Sequence, residues 1–279
     1  MAGTEDLDFT ARPARSEIYD PSVARACFQS MGKVEIIPQG GNFFTENQGS
    51  DRMYMLVEGE VSLIRGKKAI DVVKPGEIFG EMATISQLPR SATAIARTPC
   101  RALSLDTKQF QTAIQQKAPE FALMLMNIMI NRLRLTAAIV SRNVAAEQDL
   151  RERRVFDEKL LAELVERMQN RLPTHAPVNK VIMKEGEGGA FMYVVLEGRV
   201  VVSIKSRTVE RVGPGGVFGE MALVDQSPRA ASAVAETDCS LLAINRSDFL
   251  ALIKSNPAFA VSLLRSLADR LRFMTSHHR

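Results

Sequence analysis

The sequence predicts a mainly β protein with helices: two tandem jelly-roll domains, each flanked by helices, joined by a helical connector. Three observations lead there. One unit is written twice, each copy opens with short strand signals set off by glycine and proline, and each copy closes in helix. A chain of 279 residues is about two domains long. Its balance of 46% hydrophobic to 24% charged residues is enough to bury two cores.

The duplication keeps its register over most of a domain. The segment PGEIFGEMATISQLPRSATAIA, from Pro75 to Ala96, has the near-copy PGGVFGEMALVDQSPRAASAVA from Pro214 to Ala235. Phe79 and Phe218 lie 139 residues apart, as do Arg90 and Arg229. That offset runs without a gap from Phe43/Ile182 through Tyr54/Tyr193, Gly59/Gly198 and Cys100/Cys239 to Phe110/Phe249. One deletion then moves it to 138, at Phe121/Phe259 and Asn131/Asp269. A domain-sized period means a duplicated domain rather than a solenoid.

Within the first copy, strand signals cover Met53–Val57 and Glu60–Arg65 on either side of a Glu58-Gly59 turn, then Lys68–Val73 up to Pro75-Gly76, then Cys100–Leu105. Short strands this closely spaced suggest a sandwich or jelly roll rather than a parallel sheet. In the second copy Phe259, Leu263, Leu267 and Leu271 recur every four residues, so its last helix buries one face. The first copy instead carries ALMLMNIMI at Ala122–Ile130, apolar all round except at Asn127. Such a helix must be buried all round, which implies an interdomain or subunit contact on the side away from its own barrel. Ser141–Arg171 reads as helix, with a stripe of Leu160, Leu161, Leu164, Val165 and Met168, closed by Leu172-Pro173. The expected division is a disordered tail at 1–16, a first domain at 17–150 and a second at 151–279, with the boundary near Leu150.

Several function classes fall away. The 36 basic and 32 acidic side chains leave a net charge of +4 with no basic block, which gives nucleic acid little to bind. No apolar run is long enough for a membrane span, and the opening MAGTEDLDFTARPARSE has no signal-peptide core. Three cysteines, Cys27, Cys100 and Cys239, do not make a disulfide framework and point to a reducing cytoplasm. Cys100 and Cys239 are equivalent by the repeat, which favours a core role. His175, His277 and His278 have no zinc-ligand spacing. There is no Walker, dinucleotide or nucleophile-elbow motif, so no enzyme is expected.

The paired FGEMA and PR[SA] sequences carry the chemistry, and they resemble the phosphate-binding cassette of cyclic nucleotide-binding domains. That pattern is roughly F-G-E-[LM]-A-L, a short spacer, then P-R-[AST]-A. Both copies match it, with Thr84 replacing the usual leucine in the first. The tandem arrangement is similar to the regulatory subunit of cyclic-AMP-dependent protein kinase. The single unit is similar to the sensor half of catabolite-activator-type regulators.

A cyclic nucleotide presents an anionic phosphate, a ribose 2′-hydroxyl and a flat base. Arg90 and Arg229 offer a planar fork of donors to phosphate oxygens. Glu81 and Glu220 can accept from the ribose hydroxyl and help orient the arginine. Gly80 and Gly219 allow close backbone approach. A short helix from Met82 would turn its free amides to the phosphate, with Met82, Ala83, Met221 and Ala222 contributing backbone groups only. By family alignment, Leu63 and Ile70, with counterparts Val202 and Val209, line the base pocket. In this family a threonine directly after the arginine goes with cyclic GMP. Ala230 has no hydroxyl, so the second copy looks tuned to cyclic AMP. Ser91 has one, so the first is open between cyclic AMP and cyclic GMP, with cyclic AMP favoured at both. By resemblance to the catabolite-activator helix, Thr136 is a candidate for the adenine amino group, and Thr275 and Ser276 for the second copy.

The resemblance implies a non-catalytic cytoplasmic receptor with two cyclic AMP sites and no cofactor, passing occupancy through helix movement to a protein effector or to a subunit contact in a homodimer or regulatory complex. Direct sequence-specific DNA binding is not expected, since the sequence ends at Arg279 with no length left for a recognition helix. The rivals are an interaction protein whose barrels no longer sense, and a transcription regulator without a helix-turn-helix.

Overall fold

Both copies turn their strand signals into the same eight-stranded double sheet. The structure, a computed structural model, describes residues 21–116, 118–140, 152, 154–168 and 171–276. The expected tail at 1–16 and the expected boundary at Leu150 lie outside these residues.

The first copy runs α1 (Pro21–Met31), β1 (Lys33–Ile37), β2 (Asn42–Phe44), β3 (Arg52–Glu58), β4 (Val61–Arg65), β5 (Lys68–Val73), β6 (Ile78–Phe79), α2 (Glu81–Ser86), β7 (Thr93–Ala96), β8 (Cys100–Asp106), α3 (Thr107–Gln116) and α4 (Ala118–Val140). The second runs α5 (Glu158–Arg167), β9 (Thr174–Ala176), β10 (Val181–Met183), β11 (Phe191–Glu197), β12 (Val200–Ile204), β13 (Arg207–Val212), β14 (Val217–Phe218), α6 (Glu220–Asp225), β15 (Ser232–Ala235), β16 (Cys239–Asn245), α7 (Arg246–Ser255) and α8 (Pro257–Ser276).

The sheet orders are β1-β8-β3-β6 and β2-β7-β4-β5 in the first barrel. In the second they are β9-β16-β11-β14 and β10-β15-β12-β13, the same order strand for strand. The pairs are antiparallel, as a jelly roll requires. Alternation selects the inner face: β7 and β15 both bury every second residue, Ala94 and Ala96 in one, Ala233 and Ala235 in the other. Leu56, Val61, Phe79 and Cys100 share the first core with them, and Val195, Val200, Phe218 and Cys239 the second. The cysteines are buried and donate to carbonyls, Cys100 Sγ to Thr98 O at 3.2 Å and Cys239 Sγ to Thr237 O at 3.2 Å. A side chain on the adjoining turn is excluded: a Cβ on Gly59 would lie 2.7 Å from Cys100 Sγ, and one on Gly198 2.8 Å from Cys239 Sγ.

The helices follow their patterns with three differences. The expected helix over Ser141–Arg171 is shorter: residues 154–157 are not helical and α5 runs only from Glu158 to Arg167, because Asp157 caps its start, while 141–151, 153, 169 and 170 lie outside the described residues. In α4, residues 121–130 are buried except Leu123 and Ile128, which are half-buried, and even Asn127 is 1% exposed. These side chains are covered within a single chain, so a second copy is not needed to bury them. In α5, Asp157 caps the first turn by accepting from Leu160 N at 2.8 Å. Leu160, Leu164 and Met168, four residues apart on one face, are buried, but Val165 on the flank of that face is 40% exposed. The chain divides into two compact units, Met1–Met124 and Leu125–Arg279, so α4 begins in one and ends in the other. Among the described residues no helix is long and apolar enough to cross a membrane.

Candidate functional site

Each cassette is built from a tight turn, a six-residue helix and an arginine held from both ends. Gly80 and Gly219 precede α2 and α6 in the left-handed region, at φ 73° and 81°. Only glycine takes that conformation without strain, and here packing forbids anything larger: a Cβ on Gly80 would lie 2.7 Å from Arg90 Nη1, and one on Gly219 2.6 Å from Arg229 Nη1. The turn therefore sets the helix start against the arginine. Glu81 and Ala83 are buried, as are Glu220 and Ala222, while Met82 and Met221 are half-buried.

The arginine backbone is bridged to the loop after the second strand. Arg90 N donates to Gln48 O at 2.8 Å, and Asn47 N donates to Arg90 O at 2.9 Å. In the second copy Arg229 N donates to Glu187 O at 2.8 Å and Gly186 N donates to Arg229 O at 2.9 Å. The guanidinium then lies inward on carbonyls. Arg90 donates to Gly80 O at 2.8 Å and Arg52 O at 2.6 Å, and Arg229 to Gly219 O at 2.7 Å and Phe191 O at 2.5 Å. They are 3% and 6% exposed. Among the described residues neither forms an ion pair, and Arg90 Nε has no hydrogen-bond partner. Desolvation lowers the pKa of both guanidiniums, a sign that burial is not fully compensated.

The arginine surroundings differ between the copies. Arg90 lies 4.0 Å over the Phe44 ring and 5.9 Å from that of Tyr54. Tyr54 and Phe79 stack at 5.2 Å, as Tyr193 and Phe218 do in the second copy. Burial pushes the Tyr54 phenol up to about 12. The second copy has Met183 where the first has Phe44. The departure at Thr84 has a local partner: its hydroxyl is buried, 3.2 Å from Ser50 Oγ. In the second copy the same two positions are Leu223 and Gly189.

The two glutamates were expected to help orient the arginines. Each acts on its arginine through charge, Glu81 on Arg90 and Glu220 on Arg229, and Glu220 is also held by Arg270 of α8, through Arg270 Nη1 and Glu220 Oε1. The same guanidinium donates to Glu210 Oε2 at 3.0 Å and Val217 O at 2.6 Å. Burial pulls the Arg270 pKa down, but the carboxylates of Glu210 and Glu220 outweigh it and the net shift is upward. Repeat arithmetic carries the signal for this residue: Arg132 and Arg270 lie 138 apart, the offset that holds after the deletion. Phe44 has no such signal, since its counterpart is not aromatic.

Of the base-pocket candidates, Leu63 is half-buried on β4 and Val202 is buried on β12. Ile70 and Val209 occupy bulges, being skipped where the register shifts between Leu63/Ile64 and between Val202/Ser203. Ser91 and Ala230 are half-buried beside their arginines. Thr136 lies on α4 in the second unit, where its hydroxyl donates to Arg132 O at 2.8 Å. It is thus assigned to a different unit from the first cassette. The side chains of Thr275 and Ser276 lie outside the described residues. Among the described residues no group of three His, Cys, Asp or Glu could hold a metal ion.

The cyclic nucleotide-binding domain family matches the chain twice, at residues 34–117 and 173–256. A cyclic AMP receptor protein of Thermus thermophilus is 44% identical over 101 residues, covering 34% of this chain and 47% of its own length. A cAMP-dependent protein kinase regulatory subunit of Yarrowia lipolytica is 25% identical over 236 residues, 84% of this chain and 57% of its own. The chain thus spans about half the length of these curated relatives. Among solved structures, the regulatory domain of Toxoplasma gondii PKA with cAMP is 21% identical and covers 93% of this chain and 90% of that one, at a TM-score of 0.33.

Proposed function

Since the chain belongs to the cyclic nucleotide-binding domain family, we propose that it is a non-catalytic receptor binding cyclic AMP at two sites, one per cassette, and passing occupancy to a protein partner. The observation that carries the reading is the arginine of each cassette, a buried cation resting on backbone carbonyls where a carboxylate would ordinarily be required. A phosphate supplies the missing charge, and its planar match to guanidinium is the geometry arginine favours. The relatives named for cyclic AMP support the same ligand class.

Ligand phosphate draws each guanidinium off its carbonyls, while the two-bond backbone bridge keeps the arginine in place. The ribose hydroxyl meets Glu81 or Glu220. In the second site that glutamate is already shared with Arg270, so ribose binding and the position of α8 are linked. Each ligand shifts the helices only by its difference in affinity between their arrangements. The output is an altered surface for an effector, in a regulatory complex or between two copies. Ala230 favours cyclic AMP at the second site. Ser91 leaves the first site able to take cyclic GMP more weakly.

Calorimetric titration tests this. The expected result is two cyclic AMP per chain, with cyclic GMP weaker. Arg90→Lys and Arg229→Lys should each weaken one site by about 1.5–3 kcal/mol, a factor of about ten or more, since lysine cannot span the fork. Binding of neither nucleotide by the intact chain would sink the reading. An unchanged titration in both variants would remove the arginines from it.

A further inference from the structure

The two cassettes differ at one position that changes what can hold them. Where the first has Ser86, the second has Asp225, 139 residues on. Ser86 turns back into its own short helix, donating to Met82 O at 2.8 Å. Asp225 has only 4% of its side chain exposed, and both its oxygens face a single guanidinium. Arg134 of α4 donates Nε to Asp225 Oδ2 at 2.5 Å and Nη2 to Oδ1 at 3.0 Å. Its third donor, Nη1, reaches Pro228 O at 2.9 Å. Asp225 also accepts from Ser227 N at 3.1 Å.

Arg134 therefore grips the segment 225–228 at both ends, and the next residue is Arg229. A bidentate guanidinium–carboxylate pair fixes orientation as well as distance. With the carboxylate nearly buried, the pair is shielded from the screening that makes exposed ion pairs weak. The helix that supplies Arg134 is continuous from Ala118 to Val140. Its first turns belong to the other unit, where Phe121 packs on Phe28 at 6.4 Å and on Phe110 at 6.5 Å.

We infer that Arg134 and Asp225 form a latch by which α4 holds the arginine loop of the second cassette, so that occupancy of the first barrel sets the affinity of the second. The inference rests on the proposed cyclic nucleotide reading for its ligand, but not for the latch itself. At the equivalent position the first cassette has Ser86, which carries no carboxylate for such a pair. Coupling in binding free energy is nonetheless equal in both directions, so the latch makes the second cassette the point where the coupling is set.

The test has one arm without ligand and one with it. In the ligand-free full chain, amide hydrogen exchange at Gln226, Ser227 and Arg229 is compared between the native sequence and Arg134→Gln. The latch requires faster exchange there, with the corresponding amides of Gln87 and Arg90 unchanged. Equal rates at 226–229 overturn it. In the second arm, cyclic AMP affinity at the second site is measured with the first site intact and with the first site weakened by Arg90→Lys, at ligand concentrations that leave the weakened site empty. The expected difference is about fivefold or more, falling below about twofold in the Arg134→Gln background. A difference that persists in that background, or none in the native sequence, overturns the coupling. Since Arg134→Gln strands a buried carboxylate, Arg134→Gln with Asp225→Ser is run beside it, writing the first copy's residue into the second. The double variant must restore folding stability without restoring coupling. If the native chain binds no cyclic nucleotide, the receptor reading and the coupling fall together, while the exchange arm still decides the latch.

Discussion

Replacing Arg270 by methionine tests the reading of the second site at the cation that holds Glu220. Arg270, Glu210 and Glu220 have 13%, 15% and 3% of their side chains exposed, so solvent screens the group little. One guanidinium meets two carboxylates, and its loss leaves both without their cation. Breaking a buried pair from one side costs about 3–5 kcal/mol, because the remaining charge is stranded. For a unit of about 150 residues each kcal/mol is about 2–4 °C of melting temperature. Arg270→Met should therefore lower the transition of the second unit by about 6–20 °C in scanning calorimetry without ligand, leaving that of the first unit in place. Adding Glu220→Gln should recover part of the loss, since a neutral amide removes one stranded charge. A shift below about 2 °C would falsify the buried-charge reasoning. No recovery in the double variant would show that the loss came from packing of the arginine stem instead.

Other outcomes follow from the same geometry. Gly219→Ala forces a Cβ to 2.6 Å from Arg229 Nη1 at φ 81°, so urea unfolding should show a loss of about 1–3 kcal/mol in the second unit, together with weaker second-site binding. Thr84→Leu alone overpacks the first cassette against Ser50 and should cost about 1–3 kcal/mol. Combined with Ser50→Gly it copies the second cassette and should come within about 1 kcal/mol of the native chain. Phe44→Met removes the ring 4.0 Å beneath Arg90. It should cost about 0.5–2 kcal/mol in first-unit stability with no change at the second site, and equal stability would remove the ring from the account.

The repeat made the frame legible because duplication reports backbone constraints. Gly59 and Gly198 recur since a Cβ would strike the cysteine that also recurs. Gly80 and Gly219 recur since the arginine fills the space a side chain would need. Identical residues at identical spacing therefore located the turns, the strands and the two arginines before any coordinates. Partners from distant helices were another matter. Nothing near Glu220 in sequence points to Arg270, 50 residues away; the repeat marks the arginine through Arg132 but not the glutamate it meets. The strand periodicity that placed Val202 and Leu63 gave no sign that Ile70 and Val209 would sit in bulges, because a bulge is a property of the pairing rather than of one strand.

The two copies differ at many positions through the barrels, and three of those differences change what surrounds or holds the arginines. Phe44 against Met183 changes what lies beneath the guanidinium. Ser50 and Thr84 against Gly189 and Leu223 change the wall beside it, and the two members of that pair have changed together: a hydroxyl pair in one copy, a glycine and an apolar side chain in the other. Ser86 against Asp225 changes what grips the loop. Sheet order, backbone bridges and carbonyl contacts stay the same in both. A pair of barrels kept only as scaffold would have no reason to hold the arginine frame constant while varying its immediate surroundings. Two sites with one anchoring chemistry and separately set affinities do have that reason. Under the proposed two-site reading, halves that fill at different ligand concentrations are therefore favoured over two equivalent sites.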